Sequence, residues 1–135
     1  MRVSLSLEDR KRLTSLGVGI VYLFGSHAEG MEGPLSDIDV GVVVTDPRRL
    51  SVGTNELYLS LFGLLSQAVD NSDRLDIVFL QRAPLELRFD VVAHGQPVFE
   101  VSSDFRLDFE ERTTLAYCDY RPILREFDRA LLEPS

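Results

Sequence analysis

Three aspartates and one glycine–serine step are the residues of this chain whose types and spacing could do chemistry. Asp37 and Asp39 stand one residue apart at the head of an apolar run, IDVGVVV at 38–44. Ionised carboxylates are costly to desolvate unless positive charge sits beside them. The nearest Lys or Arg in sequence is Arg48, nine residues past Asp39, so a metal ion is the obvious counter-charge. In a strand, residues two apart project to one side. Asp37 and Asp39 would therefore leave one face while Ile38, Val40, Val42 and Val44 pack on the other. Two carboxylates on one strand side can hold one hard cation, or bridge two, with the oxygen ligands that Mg²⁺ prefers. Mg²⁺ keeps some waters and shares itself with phosphates, which makes a nucleoside triphosphate the natural second ligand.

Gly25-Ser26 ends an earlier β-rich run, and free N–H groups there, with the Ser26 hydroxyl, would form a nest for terminal phosphates. Gly25 lets the backbone approach without a Cβ in the way. Ten residues then separate Ser26 from Asp37. A third carboxylate, Asp76 in LDIVFL at 75–80, alternates with Leu75, Ile77 and Phe79 and leaves the helix-packed side of its own strand. Three aspartates from two strands on one open sheet face would make a two-metal site. One metal would hold the triphosphate and the other would activate an attacking hydroxyl, which is nucleotidyl transfer.

The elements that must position these groups follow from patterning. Ser6 followed by Asp9 predicts a capped helix carrying Leu7, Leu13 and Leu16, ended by Gly17 and Gly19. Ile20–Phe24 reads as the first strand, with a possible short helix around 27–30 in the loop after it. Ile38–Val44 reads as the second strand, ended by Asp46-Pro47, and Leu75–Leu80 as the third. Between them, 55–69 is apolar on more than one face and suits a buried helix. Pro84 opens a further helix with Leu87, Phe89 and Val91 inward, His94 at its end and Gly95 past it. Pro97–Phe99 predicts a short fourth strand. From Ser103 a long helical pattern carries Phe105, Phe109, Ala116, Tyr120, Ile123, Phe127 and Leu131, and Pro122 should kink or break it.

The 135 residues suit one domain with a single core. The net charge of −8, from 22 acidic and 14 basic residues, argues against a protein built to grip a nucleic acid backbone. It hints instead at a neutral or basic macromolecular partner. Arg10, Lys11 and Arg12 read as a solvated helix face. No apolar run reaches membrane-spanning length, the N-terminus lacks a signal-peptide core, and the expected compartment is cytoplasmic. One cysteine, Cys118, excludes an internal disulfide and any multi-cysteine zinc site; it reads as buried filler.

Gly25-Ser26, ten residues, Asp37-Ile38-Asp39 and then Asp76 in a later strand together resemble the nucleotidyltransferase superfamily with the polymerase β-type palm. The small size, the SDID wording at 36–39 and the helical C-terminus are more narrowly similar to the minimal nucleotidyltransferases, the MntA-type antitoxins paired with HEPN toxins. The likeness covers about Ile20 to Phe99 and the tail less specifically. It implies an α/β (α+β) palm-like fold: a small mixed sheet with helices on one face, the core spanning about 18–100, and a C-terminal helical segment at about 103–132. It also implies AMP transfer from ATP to a tyrosine of a cognate HEPN ribonuclease toxin, which silences the toxin. Asp37 and Asp39 would bind two Mg²⁺ ions, Asp76 would ligate the catalytic one and assist hydroxyl deprotonation, and Gly25 and Ser26 would seat the phosphates. The expected partners are that toxin and a nucleoside triphosphate, with no direct nucleic acid and no membrane; homo- and hetero-oligomers both remain open.

Other readings stand beside this one. Asp37 could cap a turn, Asp39 could pair with an arginine, and Asp76 could join a surface salt bridge near Asp73 and Arg74. The family often carries basic residues where this chain has His27 and Glu29. An acid near a triphosphate favours a binding module that neutralises its toxin by occlusion. A third reading keeps the enzyme and makes the acceptor a small-molecule alcohol. Tyr117, Tyr120 and Phe127 read as core, with the far C-terminus available to a partner, and Arg48 and Arg49 as a solvated loop.

Overall fold

Three apolar runs rich in Val, Ile, Leu and Phe and one mixed segment, QPVFE, become the four strands of one sheet. The structure, a computed structural model, describes residues 3–25, 37–69 and 74–132, with side-chain environments up to Tyr120. Strand β1 (Val18–Phe24), β2 (Ile38–Val44), β3 (Leu75–Phe79) and β4 (Gln96–Glu100) lie in the order β3-β2-β1-β4. β1 runs antiparallel to both β2 and β4, whereas β2 and β3 are parallel. The parallel pair needs a crossover, supplied by α2 (Asn55–Ala68) after a 3₁₀ turn at Pro47–Val52. The possible short helix around 27–30 lies outside the described residues.

Central β1 is buried on both faces, so each side of the sheet must be covered. On one face, Val21, Leu23, Val40, Val42 and Ile77 pack with Leu13 of α1 (Leu7–Ser15) and with Leu57, Leu61 and Leu65 of α2. Ser6 caps α1 reciprocally with Asp9, each backbone N–H meeting the other's side-chain oxygen at 3.0 Å. The opposite face is not open along its length. Ile20, Tyr22 and Val43 pack there with Leu80, with Val91 of α3 (Leu85–His94) and with Phe109 of α4 (Ser103–Leu132). Gly19 lets α4 come close, because an added Cβ would overlap the Phe105 ring.

Several local expectations shift. The first strand starts at Val18, because Val18 pairs with Val44, so Gly19 belongs to the sheet and does not stop a helix. Helix α4 runs through Pro122 without a break. Proline removes one backbone hydrogen bond, to the carbonyl of Cys118, and the turns on either side keep theirs. Cys118 is exposed, as are Ala116 and Tyr120. The packed stripe of α4 is Phe105, Phe109 and Thr113, and Tyr117 continues it by stacking on Phe89; Cys118 sits on its flank. Phe89 therefore faces α4, while Leu87 and Val91 face the sheet. Among the described residues no helix is long and apolar enough to cross a membrane.

Tyr22 is the polar tie between sheet and α4. Its hydroxyl donates to Glu110 Oε2 at 2.6 Å, and Arg106 donates to Glu110 Oε1 at 3.0 Å and to Glu100 Oε1 at 3.3 Å. Burial, reinforced by the bond to Glu110 and its charge, pushes the Tyr22 ionisation far above the usual tyrosine range. The folded state therefore holds this proton more tightly than the unfolded chain, where tyrosine titrates near ~10. The linked stability is present below that pH and lost as pH rises past it. Tyr22→Phe should cost on the order of 1–3 kcal/mol at neutral pH. In urea unfolding followed up to about pH 11, the variant should lose less stability with alkali than the parent.

Candidate active site

The site forms where β1 leaves the sheet and β2 and β3 enter it. Antiparallel pairing puts Phe24 opposite Asp39, and parallel pairing puts Asp76 opposite Asp39 on the other side. Register partners project from the same face of a sheet, so Asp39 and Asp76 stand side by side on adjacent strands. Their neighbours explain the placement. Ile38, Val40 and Ile77 are buried in the α1–α2 layer, which turns the alternating carboxylates the other way. Asp39 is half-buried and Asp76 exposed.

Gly25 follows immediately. Its φ is +78°, a left-handed conformation that a side chain would strain. An added Cβ would overlap Asp39 Oδ2, so the bare glycine backbone and the carboxylate share one small space. Asp37 is exposed and lies just outside β2, where strand alternation does not dictate its side chain. The adjoining backbone is tied down, since Ile38 N–H donates to the Arg74 carbonyl at 2.8 Å. Ser26 falls outside the described residues, as do His27 and Glu29.

Among the described residues no three acidic, histidine or cysteine side chains form a preassembled metal cage. Asp39 and Asp76 nonetheless offer what Mg²⁺ asks of a protein: one or two carboxylates, the remaining positions going to water and substrate phosphate. The hard-oxygen donor set and the glycine-lined space beside Asp39 fit that ion. Sequence reasoning did not single out Phe24, the other register partner of Asp39. Its ring packs with the Ile20–Tyr22 cluster and anchors the strand end. The alternation Ile20, Tyr22, Phe24 was the available signal.

If Gly25 and the Asp39 carboxylate compete for one space, their substitutions must be coupled. Gly25→Ala should lower stability by roughly 1–3 kcal/mol through its positive φ and the clash. Adding Asp39→Ala should recover part of that loss but not the backbone strain. A double-mutant cycle by thermal or urea unfolding reads the difference.

Comparison with known proteins fits this arrangement. No curated protein matches the sequence. Three similar solved structures are toxin–antitoxin assemblies. A toxin–antitoxin with AMP-PNP matches at 24% identity and a TM-score of 0.68, over 93% of this chain and 99% of that one. An MntA–HepT pair matches at 22% and 0.61, over 95% and 100%. A tri-AMPylated Shewanella oneidensis HEPN toxin in complex with MNT antitoxin matches at 24% and 0.60, over 92% and 96%. At these identities the likeness establishes the fold. The sequence itself matches the polymerase beta nucleotidyltransferase family over residues 11–104, which takes in every strand and both aspartates of the paired register. The chain belongs to the polymerase beta nucleotidyltransferase family.

Proposed function

We propose that this chain is a Mg²⁺-dependent nucleotidyltransferase that moves AMP from ATP onto a tyrosine hydroxyl of a HEPN-type toxin and thereby acts as its antitoxin. The observation that carries the reading is the register of Asp39 with Asp76 beside the bare backbone of Gly25. Family membership supports nucleotidyl transfer. The similar assemblies holding AMP-PNP and an AMPylated HEPN toxin support ATP as donor and a toxin as acceptor.

In the reaction the acceptor oxygen forms a bond to the α-phosphorus and the bond from that phosphorus to the bridging oxygen breaks. Pyrophosphate leaves with the electron pair. Asp37 and Asp39 would hold Mg²⁺, and Gly25 and Ser26 would seat the triphosphate through backbone N–H groups and the serine hydroxyl. Asp76 receives the hydroxyl proton and completes the carboxylate set. Bound Mg²⁺ supplies charge neutralisation of the phosphates and polarisation of the attacking oxygen.

Incubation with a candidate HEPN toxin, Mg²⁺ and ATP labelled in the α-phosphate should label the toxin. Asp39→Asn should abolish labelling, and Asp76→Asn should slow it by roughly 10²–10⁴-fold. An unlabelled toxin would overturn the reading. Intact protection of cells by an Asp37→Ala, Asp39→Ala variant would favour neutralisation by occlusion. Pyrophosphate release with a small alcohol alone would redirect the acceptor.

A further inference from the structure

Helices α3 and α4 each bury one stripe against the sheet, and α4 leaves two further leucines outside, beside half-buried Phe89 and Val92 of α3. Phe89, Val92 and Ala93 of α3 and Leu107 and Leu115 of α4 line a groove of about 520 Å³ between the two helices. Leu107 is 54% exposed and Leu115 58%. Leucines at this spacing, eight residues apart on one helix, present a ridge of the kind that meets another helix. The groove is preformed, because Phe89 stacks on Tyr117 with ring centroids 4.0 Å apart and planes within 2°.

Among the described residues the charged side chains that line the groove are acidic, Glu110 and Glu111. Glu86 and Asp90 on α3 and Asp104 and Glu111 on α4 are exposed and make no ion pair among the described residues. The described arginines of the two helices are already engaged. Arg88 donates to the Leu80 and Ala83 carbonyls, Arg106 to Glu100 and Glu110, and Arg112 to Asp108. An apolar floor with an acidic rim selects its occupant: the floor supplies affinity, and the rim supplies orientation and rate.

We propose that the α3–α4 groove docks an amphipathic helix of a partner protein, apolar on the face that meets Val92, Leu107 and Leu115 and basic along its flanks. A second copy of this chain, with a net charge of −8 and the same acidic rim, is the poorer match. The inference goes beyond the transfer reaction and holds whether or not Asp39 and Asp76 are active.

The test uses the full chain, isotope-labelled for amide spectra, and three synthetic peptides. One is a leucine-faced, lysine-flanked amphipathic helix, one its scrambled isomer, and one carries glutamate in place of lysine. The first should shift amides of 86–93 and 104–115 and bind more weakly as salt rises; the other two should not bind. Leu107→Ser with Leu115→Ser, both at exposed positions, should weaken binding about tenfold or more. Asp90→Lys with Glu111→Lys should flatten the salt dependence, and Glu8→Lys on α1 should leave binding unchanged. Equal binding of the scrambled peptide, or shifts spread beyond the two helices, would overturn the proposal. So would groove amides that respond to protein concentration alone, since a second copy would then be the occupant.

Discussion

Two like-charged carboxylates stand side by side on adjacent parallel strands, and the architecture around them serves to hold them there. Like charges directly opposite one another on adjacent strands oppose the pairing. The opposing force comes from behind. Ile38, Val40, Val42 and Val44 on β2 and Leu75 and Ile77 on β3 are buried, and a slip of one residue in either strand would turn that whole set away from the α1–α2 layer. The apolar ladder therefore locks the register, and the register locks the acids together.

The same logic explains the glycine at the strand end. β1 must turn away where β2 brings in Asp39, and the backbone there meets a carboxylate oxygen at a distance no side chain would permit. Tight turning and close approach coincide at Gly25, so one residue type satisfies both demands. Behind it, Phe24 and Tyr22 carry the load into the second layer, where Glu110 and Arg106 tie the sheet to α4. The site thus rests on two cores, one for each face of the sheet.

The molecule's surface divides its labour. The acids Asp39 and Asp76 sit at the ends of β2 and β3, beside the bare backbone of Gly25. The acids on α3 and α4 flank an apolar groove, where their physical consequence is attraction of a basic protein surface. A net negative chain can carry both sets, because they stand on different elements, one at the ends of β2 and β3 and the other on α3 and α4.

Much of this was legible in residue order. The alternation within IDVGVVV and LDIVFL set the facing of Asp39 and Asp76, the Ser6–Asp9 box marked the start of α1, and Gly25 announced a turn. Pairing was not legible. That β1 would stand between β2 and β4, that β3 would join in parallel, and that Asp76 would meet Asp39 and not some neighbour are facts of long-range contact, which local pattern does not encode. Nor could periodicity tell that α4 would continue past Pro122 or that Cys118 would face solvent, because a helix buries only the stripe its neighbours cover. Chain order by itself marked the candidate carboxylates and determined which way the strands would turn Asp39 and Asp76, since side-chain alternation is a property of the backbone. Tertiary structure alone decided which of those residues meet, since that depends on which strands find each other.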